Sequence, residues 1–159
     1  MSYSRDDLLF APLGGSGEIG MNVNLYHFRD SWIMVDLGIS FPDESTPGVD
    51  VILPDLKFIA DRREKLAGLV LTHGHEDHFG AIPYLWSQIS CPIYGSAFTI
   101  ALLRRKLSET RVDFDIPLHE IGMNAPFNLG SFEIEMVALN HSIPDPAALA
   151  IGTDAGIIL

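Results

Sequence analysis

The chain is poor in cysteine, in basic residues and in long apolar runs, and each shortage narrows what it can be. Cys91 is the single cysteine among 159 residues. No internal disulfide framework is therefore possible, and a reducing, cytoplasmic compartment is the expectation. No apolar run approaches the roughly 18 residues that mark a membrane span. Residues 1–10 lack a basic segment followed by an apolar one, so no secretory signal is expected. Lys and Arg total 10 against 21 Asp and Glu, a formal net charge of −11. A free-standing nucleic-acid binder normally carries a basic face, so this sign argues against one. Acidic side chains are also cation ligands, and bound divalent metals would offset part of the charge. Repeats and low-complexity stretches are absent. What the chain does have is 47% apolar and only 19% charged residues. That composition suits a buried core and one domain, or part of one.

Apolar patterning outlines the elements. Residues 8–13 read as a short strand, residues 22–28 alternate as a strand does, and Asp30-Ser31 turns the chain into a buried strand over 32–35. Residues 38–54, rich in Pro, Asp and Gly, read as a long loop of the kind that is usually functional or disordered. Helical spacing covers 55–65, with Asp55 as the cap after Pro54. Leu69, Val70 and Leu71 form a strand that runs directly into Thr72-His73. Helices are expected over 77–89 and 96–107. Strands are expected over 114–118, 132–139 and 148–151, with another opening at Gly156. A domain seldom stops in mid-strand, so the chain reads as part of something longer.

The strongest chemical signal is Thr72-His73-Gly74-His75-Glu76-Asp77-His78, an H-x-H-x-D-H pattern. Three imidazoles and a carboxylate so close together suit Zn²⁺ or Mn²⁺, which accept nitrogen and oxygen ligands. The pattern starts at a strand end and enters a helix. A tight turn there lets His73 and His75 point to one side while Asp77 and His78 point to a second position nearby. His141, beyond another strand, is the distant histidine such a site needs. His27 and His119 lack that context and read as a strand-face and a surface histidine. Asp36 ends a buried strand, either as a turn or cap residue or as a carboxylate that orients a ligand histidine.

Gly15-Ser16-Gly17-Glu18-Ile19-Gly20 matches the dinucleotide pattern G-x-G-x-x-G, and Asp36 imitates its acidic partner. The context fails, because strand periodicity rather than a helix follows, and too few residues separate Gly20 from Asp36 for a helical crossover. The better reading is a glycine turn between two antiparallel strands, with its backbone close to the metal cleft. Arg104-Arg105-Lys106 ends a helix, as charges complementing its dipole or as phosphate contacts. Cys91 reads as a small buried hydrophobe.

Four stretches, Leu13-Gly-Gly-Ser-Gly-Glu-Ile-Gly-Met-Asn22, Val35-Asp-Leu-Gly-Ile-Ser-Phe-Pro42, Leu71-Thr-His-Gly-His-Glu-Asp-His-Phe-Gly-Ala-Ile-Pro-Tyr84 and Asn140-His-Ser-Ile-Pro-Asp145, together resemble the ribonuclease J family. These are bacterial β-CASP nucleases of the metallo-β-lactamase superfamily, and the resemblance covers nearly the whole chain. It implies an α/β fold, a four-layer αββα sandwich, with residues 1–159 as the N-terminal part of the metallo-β-lactamase domain. It also implies two metals at one sheet edge, Zn²⁺ with Mn²⁺ or Mg²⁺ as alternatives. His73, His75 and His141 match ligands of the first metal, Asp77 and His78 match ligands of the second, and Asp36 matches a supporting aspartate. The implied activity is hydrolysis of RNA, as a 5′-to-3′ exonuclease and an endonuclease in RNA processing and decay. Homo-oligomers of the full-length protein and partners in an RNA-decay complex are further implications.

The family's bridging aspartate, a later metal-binding histidine and the inserted β-CASP domain have no counterpart in these residues. Weak binding of the second metal and poor RNA cleavage by this chain alone are therefore expected. The expected mechanism is attack on phosphorus by a metal-activated hydroxide, with His75 and Asp77 as the residues turnover depends on. Two other readings stand beside it. One is a hydrolase of small esters, thioesters or lactams on the same fold, which the net charge favours. The other is a catalytically incomplete scaffold.

Overall fold

A computed structural model describes residues 4–110 and 115–159. Three strands open the chain, β1 (Leu9–Gly14), β2 (Val23–Phe28) and β3 (Ser31–Val35), each antiparallel to its neighbour. Then come α1 (Lys57–Ala60), a 3₁₀ turn (Arg63–Lys65), β4 (Leu66–Val70), α2 (Glu76–Phe79), α3 (Ile82–Ile89), β5 (Ile93–Gly95), α4 (Ala97–Glu109) and β6 (Leu118–Glu120). From β3 to β6 the pairing is parallel, giving one six-stranded sheet in the order β1-β2-β3-β4-β5-β6. Short turns make the antiparallel half and helical crossovers the parallel half, as strand geometry requires. The remaining strands, β7 (Phe127–Leu129), β8 (Phe132–Ala138), β9 (Ala147–Thr153) and β10 (Gly156–Ile158), form an antiparallel sheet ordered β10-β9-β8-β7.

Two apolar layers hold these parts together. All five residues of β3 are buried because both faces of that strand are covered. Trp32 and Met34 face the helices, in a core with Ile59 of α1, Phe79 of α2, Ile82 and Leu85 of α3, and Ile100 and Leu103 of α4. Ile33 and Val35 face the second sheet and pack with Phe132, Ile134 and Met136 of β8. Burying each such side chain contributes about 1.5–3 kcal/mol. Glu133 and Glu135 alternate with the buried residues of β8 on its outer face. Every helix buries its apolar side in the first core. The described residues thus supply three layers, helix, sheet and sheet. The fourth, helical layer of the expected sandwich is not among them.

Several expected boundaries shift, each for a local reason. The helix expected over 55–65 is two separate turns; Asp55 does serve its start, since its carboxylate accepts the Lys57 N–H at 2.8 Å. The helix expected over 77–89 splits at Gly80-Ala81. The Ala81 N–H turns to the Leu37 carbonyl at 3.1 Å, because the Asp77 carbonyl it would have reached is taken by the Asn22 N–H at 2.9 Å. Pro83, with no N–H to offer, then suits the first turn of α3. The α4 helix starts as expected, with Ser96 Oγ accepting the Thr99 N–H. Phe114, expected to open a strand, lies outside the described residues, and β6 overlaps that expectation at Leu118 alone. β5 and β7 were not anticipated, because three residues are too few to establish a period of two. Residues 38–54 are an irregular loop pinned by one bridge between Ser40 and Ile52.

Candidate metal centre

The histidine-rich turn sits where β3 and β4 end, at the carboxyl edge of the parallel half-sheet, a common ligand position in α/β folds. Its backbone is clamped between two other segments. The Glu76 carbonyl accepts the Ile39 N–H at 3.1 Å, the Asp77 carbonyl the Asn22 N–H at 2.9 Å, and the His78 carbonyl the Leu37 N–H at 2.7 Å. The Gly38 N–H in turn donates to the Asn22 carbonyl at 3.1 Å. This interlocking needs Gly38, where any Cβ would collide with the Asp77 carbonyl. The glycine-rich segment 15–20 is accordingly a turn between antiparallel strands, and its exit, Met21 and Asn22, forms one wall of the clamp.

Asp36 organises the turn from below. It is 3% exposed and adopts a left-handed backbone at φ 62°, a conformation Asp tolerates better than most residues. Its carboxylate accepts the Thr72 N–H at 2.8 Å and the Thr72 hydroxyl at 2.9 Å, and it lies 2.8 Å from His78 Nδ1. Thr72 Oγ1 also lies 3.0 Å from His73 Nδ1. With its own proton given to Asp36, that hydroxyl accepts from His73. Both imidazoles are thus gripped at Nδ1, which leaves Nε2 facing the cleft.

The donors gather into two groups. His73, His75 and His141 each offer a nitrogen, and these atoms lie within 4.8 Å of one another. The rings of His73 and His141 are 4.9 Å apart and those of His75 and His141 4.8 Å apart, both nearly perpendicular. His141 reaches them from the β8–β9 connection, whose far end, at the first residue of β9, is tied back by the Ala147 N–H donating to the Thr72 carbonyl at 3.0 Å. Gly74 lets this happen. A Cβ there would come within 2.7 Å of Leu102 on α4 and 3.5 Å of Ile143, two residues beyond His141. The second group is Asp77 and His78, whose Oδ2 and Nε2 are 3.4 Å apart. The His73 and His78 rings are 4.0 Å apart, so the groups adjoin.

Charge tells the groups apart. Burial, together with the neighbouring imidazoles of His78, His75 and His141, pushes the His73 pKa down to about 4. His73 is therefore uncharged at neutral pH, with its Nε2 lone pair available. Burial also acts to lower the His78 pKa, but the hydrogen bond to Asp36 and the charges of Asp36 and Asp77 outweigh it, and the net shift is upward. Imidazole nitrogens beside a carboxylate make a donor set that fits a divalent cation of the zinc or manganese kind.

His27, on β2, is buried beside Trp32, and exposed His119 stacks on Tyr94; neither approaches the donors. The basic run after the α4 core is paired residue by residue, Arg104 with Glu120, Arg105 with Glu109 and Lys106 with Glu76, at 2.6–2.8 Å. Sequence reasoning did not single out Thr72 or Asn22. A hydroxyl residue directly before the first histidine was the available clue to Thr72.

The metallo-β-lactamase superfamily profile matches residues 18–147. Ribonuclease J of Sinorhizobium meliloti is 43% identical over 97% of this chain and 28% of its own length. Ribonuclease J of Mycolicibacterium smegmatis is 45% identical over 96% of this chain and 27% of its own length. The chain thus spans little more than a quarter of these curated relatives. Among solved structures, the MIM-2 metallo-β-lactamase superposes with a TM-score of 0.61 at 16% identity, over 94% of this chain and 55% of its own. That likeness concerns the fold. No helix among the described residues is long and apolar enough to cross a membrane. With the profile running from the glycine turn through the histidine turn to the start of β9, the chain belongs to the metallo-β-lactamase superfamily.

Proposed function

We propose that this chain is the metal-binding part of a ribonuclease J-type enzyme, which hydrolyses RNA phosphodiester bonds in the cytoplasm by exonucleolytic and endonucleolytic cleavage. The observation that carries the reading is the convergence of His73, His75 and His141 on one point, beside the Asp77–His78 pair, in a chain 43% identical to a ribonuclease J over 97% of its residues. His73, His75 and His141 hold a first cation and Asp77 and His78 a second, with zinc as the expected metal and manganese or magnesium as alternatives. Cations held there supply a lowered water pKa and neutralise charge on a phosphate oxygen. The protein's own groups do the rest. Asp36 and Thr72 fix the imidazole orientations, and the clamp on residues 76–78 fixes the carboxylate. Asp77, a carboxylate acceptor beside His78, would also orient the attacking water. Homo-oligomers and RNA-decay partners belong to the longer protein.

The net charge of −11 favours a second reading, a hydrolase of small esters, thioesters or lactams. Turnover of 5′-monophosphorylated RNA against a chromogenic lactam or ester, with zinc or manganese added, separates the two. Slow RNA cleavage that is abolished in His75→Ala supports the ribonuclease. Lactam or ester turnover with none on RNA overturns it.

A further inference from the structure

Among the described residues, Asn22 is the one side chain outside the two donor groups with a polar atom hydrogen-bonded to both members of the second pair. Its Nδ2 lies 3.1 Å from the Asp77 carbonyl, 3.2 Å from Asp77 Oδ2 and 3.2 Å from His78 Nε2. The orientation of the amide is fixed by chemistry. Both Asp77 atoms are acceptors only, so the amide atom that faces them is the nitrogen. The oxygen points the other way, packed against Gly15, where any Cβ would collide with it. The backbone of Asn22 is held by the same clamp, donating to the Asp77 carbonyl and accepting from Gly38. The residue is thus rigid, half-buried and aimed at the gap between Asp77 and His78.

We infer that Asn22 is a positioning residue for the second cation, keeping the Asp77 carboxylate and the His78 ring at ligand spacing while the site is empty. The inference rests on the cation reading given above. An amide N–H₂ there is a neutral stand-in for a cation. It donates to the carboxylate, which would otherwise turn toward water, and it fills the space beside Nε2. When a cation arrives, the amide gives up the imidazole and keeps the carboxylate. The exit of the glycine turn thereby acts on the metal pair, and this accounts for an asparagine at the position where the turn meets the clamp.

Two nearly isosteric substitutions separate positioning from mere packing. Asn22→Leu removes the donor and keeps the bulk. Asn22→Asp replaces the donor with a carboxylate, which repels Asp77 when the site is empty and adds an anionic oxygen when it is filled. Zinc titration calorimetry and thermal unfolding with and without zinc are run on the unsubstituted chain and both variants. In chelator, the side-chain amide of Asn22 is followed by ¹H–¹⁵N correlation spectroscopy.

In Asn22→Leu, the second zinc equivalent is expected to weaken about 10- to 100-fold with the first unchanged. In Asn22→Asp, the zinc-induced rise in Tm is expected to exceed that of the unsubstituted chain. The Asn22 amide protons are expected to be protected in chelator and to lose that protection in Asp77→Ala. Equal zinc-induced rises in all three proteins overturn the inference, as does an Asn22 amide that exchanges like a free one. A protected amide in a chain that takes up no zinc overturns the role toward a cation too, and in that case the cation reading itself has failed.

Discussion

The two donor groups are built differently. The pair, Asp77 and His78, grows out of a turn whose three carbonyls are each tied to the backbone of another segment. The trio draws on that turn for His73 and His75 but takes His141 from a separate connection, on a side chain open to solvent. One group is set by main-chain hydrogen bonds among residues 21–22, 37–39 and 76–78. The other is closed by packing at Gly74, where Leu102 leaves no room for a Cβ and Ile143 leaves little. The pair should therefore respond to changes that disturb the fold, and the trio to changes the fold does not notice. Asp36 is common to both, through His78 directly and through Thr72 to His73.

Removing that common support has the largest expected effect. In Asp36→Ala the Thr72 N–H, the Thr72 hydroxyl and His78 Nδ1 lose a buried acceptor together. An unsatisfied buried donor costs about 1–3 kcal/mol, and water entering the gap recovers part of it, so a loss of about 3 kcal/mol is expected in urea unfolding. Zinc content by elemental mass spectrometry should fall for both equivalents. Loss of one equivalent alone would mean that Asp36 serves a single group. Gly38→Ala comes next and is aimed at the pair. The added methyl meets the Asp77 carbonyl, a backbone atom that cannot swing aside, and overpacking of this kind costs about 1–3 kcal/mol. The second zinc equivalent should weaken with it and the first survive. A variant as stable as the parent would show that the clamp yields freely.

These differences also mark what sequence could and could not reveal. The residues of the histidine turn were legible because their spacing is local, six positions that a strand end and one helical turn must bring together. His141 was legible only by its chemistry, since nothing in the spacing of residues 78 to 141 dictates that the two meet. Of the long-range ties, Asp36 to His78, 42 residues apart, was legible as one of two readings of a carboxylate at a strand end, whereas Asn22 to Asp77, 55 residues apart, was not. Backbone N–H groups carry the clamp, and they have no sequence signature beyond the glycine that leaves room for them. The layering was legible only through the resemblance, although the buried strand over 32–35 was legible from its apolar run and Ser31, read as a turn residue, joins it in β3. The split between α2 and α3 was not legible, because it depends on which carbonyl Asn22 occupies.

Cys91 offers a reference point away from both groups. It is 3% exposed in the helix-side core, and burial pushes its thiol pKa up to about 12 from an ordinary value near 9. The raised group is protonated in both states below pH 9, so its contribution is constant there. Between about pH 9 and 12 the unfolded thiol ionises first, and stability falls by about 1.4 kcal/mol per pH unit. At pH 10 the parent should have lost about 1.4 kcal/mol more than Cys91→Ala, relative to each protein at pH 8, with or without zinc. Parallel losses would place the thiolate in contact with water in the folded protein. Iodoacetamide should accordingly fail to label Cys91 at pH 8 until urea unfolds the chain.

His141→Ala is the smallest expected change in stability and the sharpest division between fold and site. The side chain is exposed, its ring lies edge-on to those of His73 and His75, and none of the clamp's hydrogen bonds passes through it. Exposed substitutions of this kind stay within about 0.5 kcal/mol, so urea midpoints should coincide with those of the parent. The first zinc equivalent should nevertheless weaken, because two imidazoles from one turn remain where three converged. Calorimetry in the two proteins reads this directly. If zinc uptake is unchanged while stability is also unchanged, the trio is not a binding unit, and any cation the chain holds rests on the turn alone. If stability drops with zinc absent, the connection carrying His141 is part of the scaffold after all, and the contrast between a clamped pair and a packed trio gives way to one continuous structure.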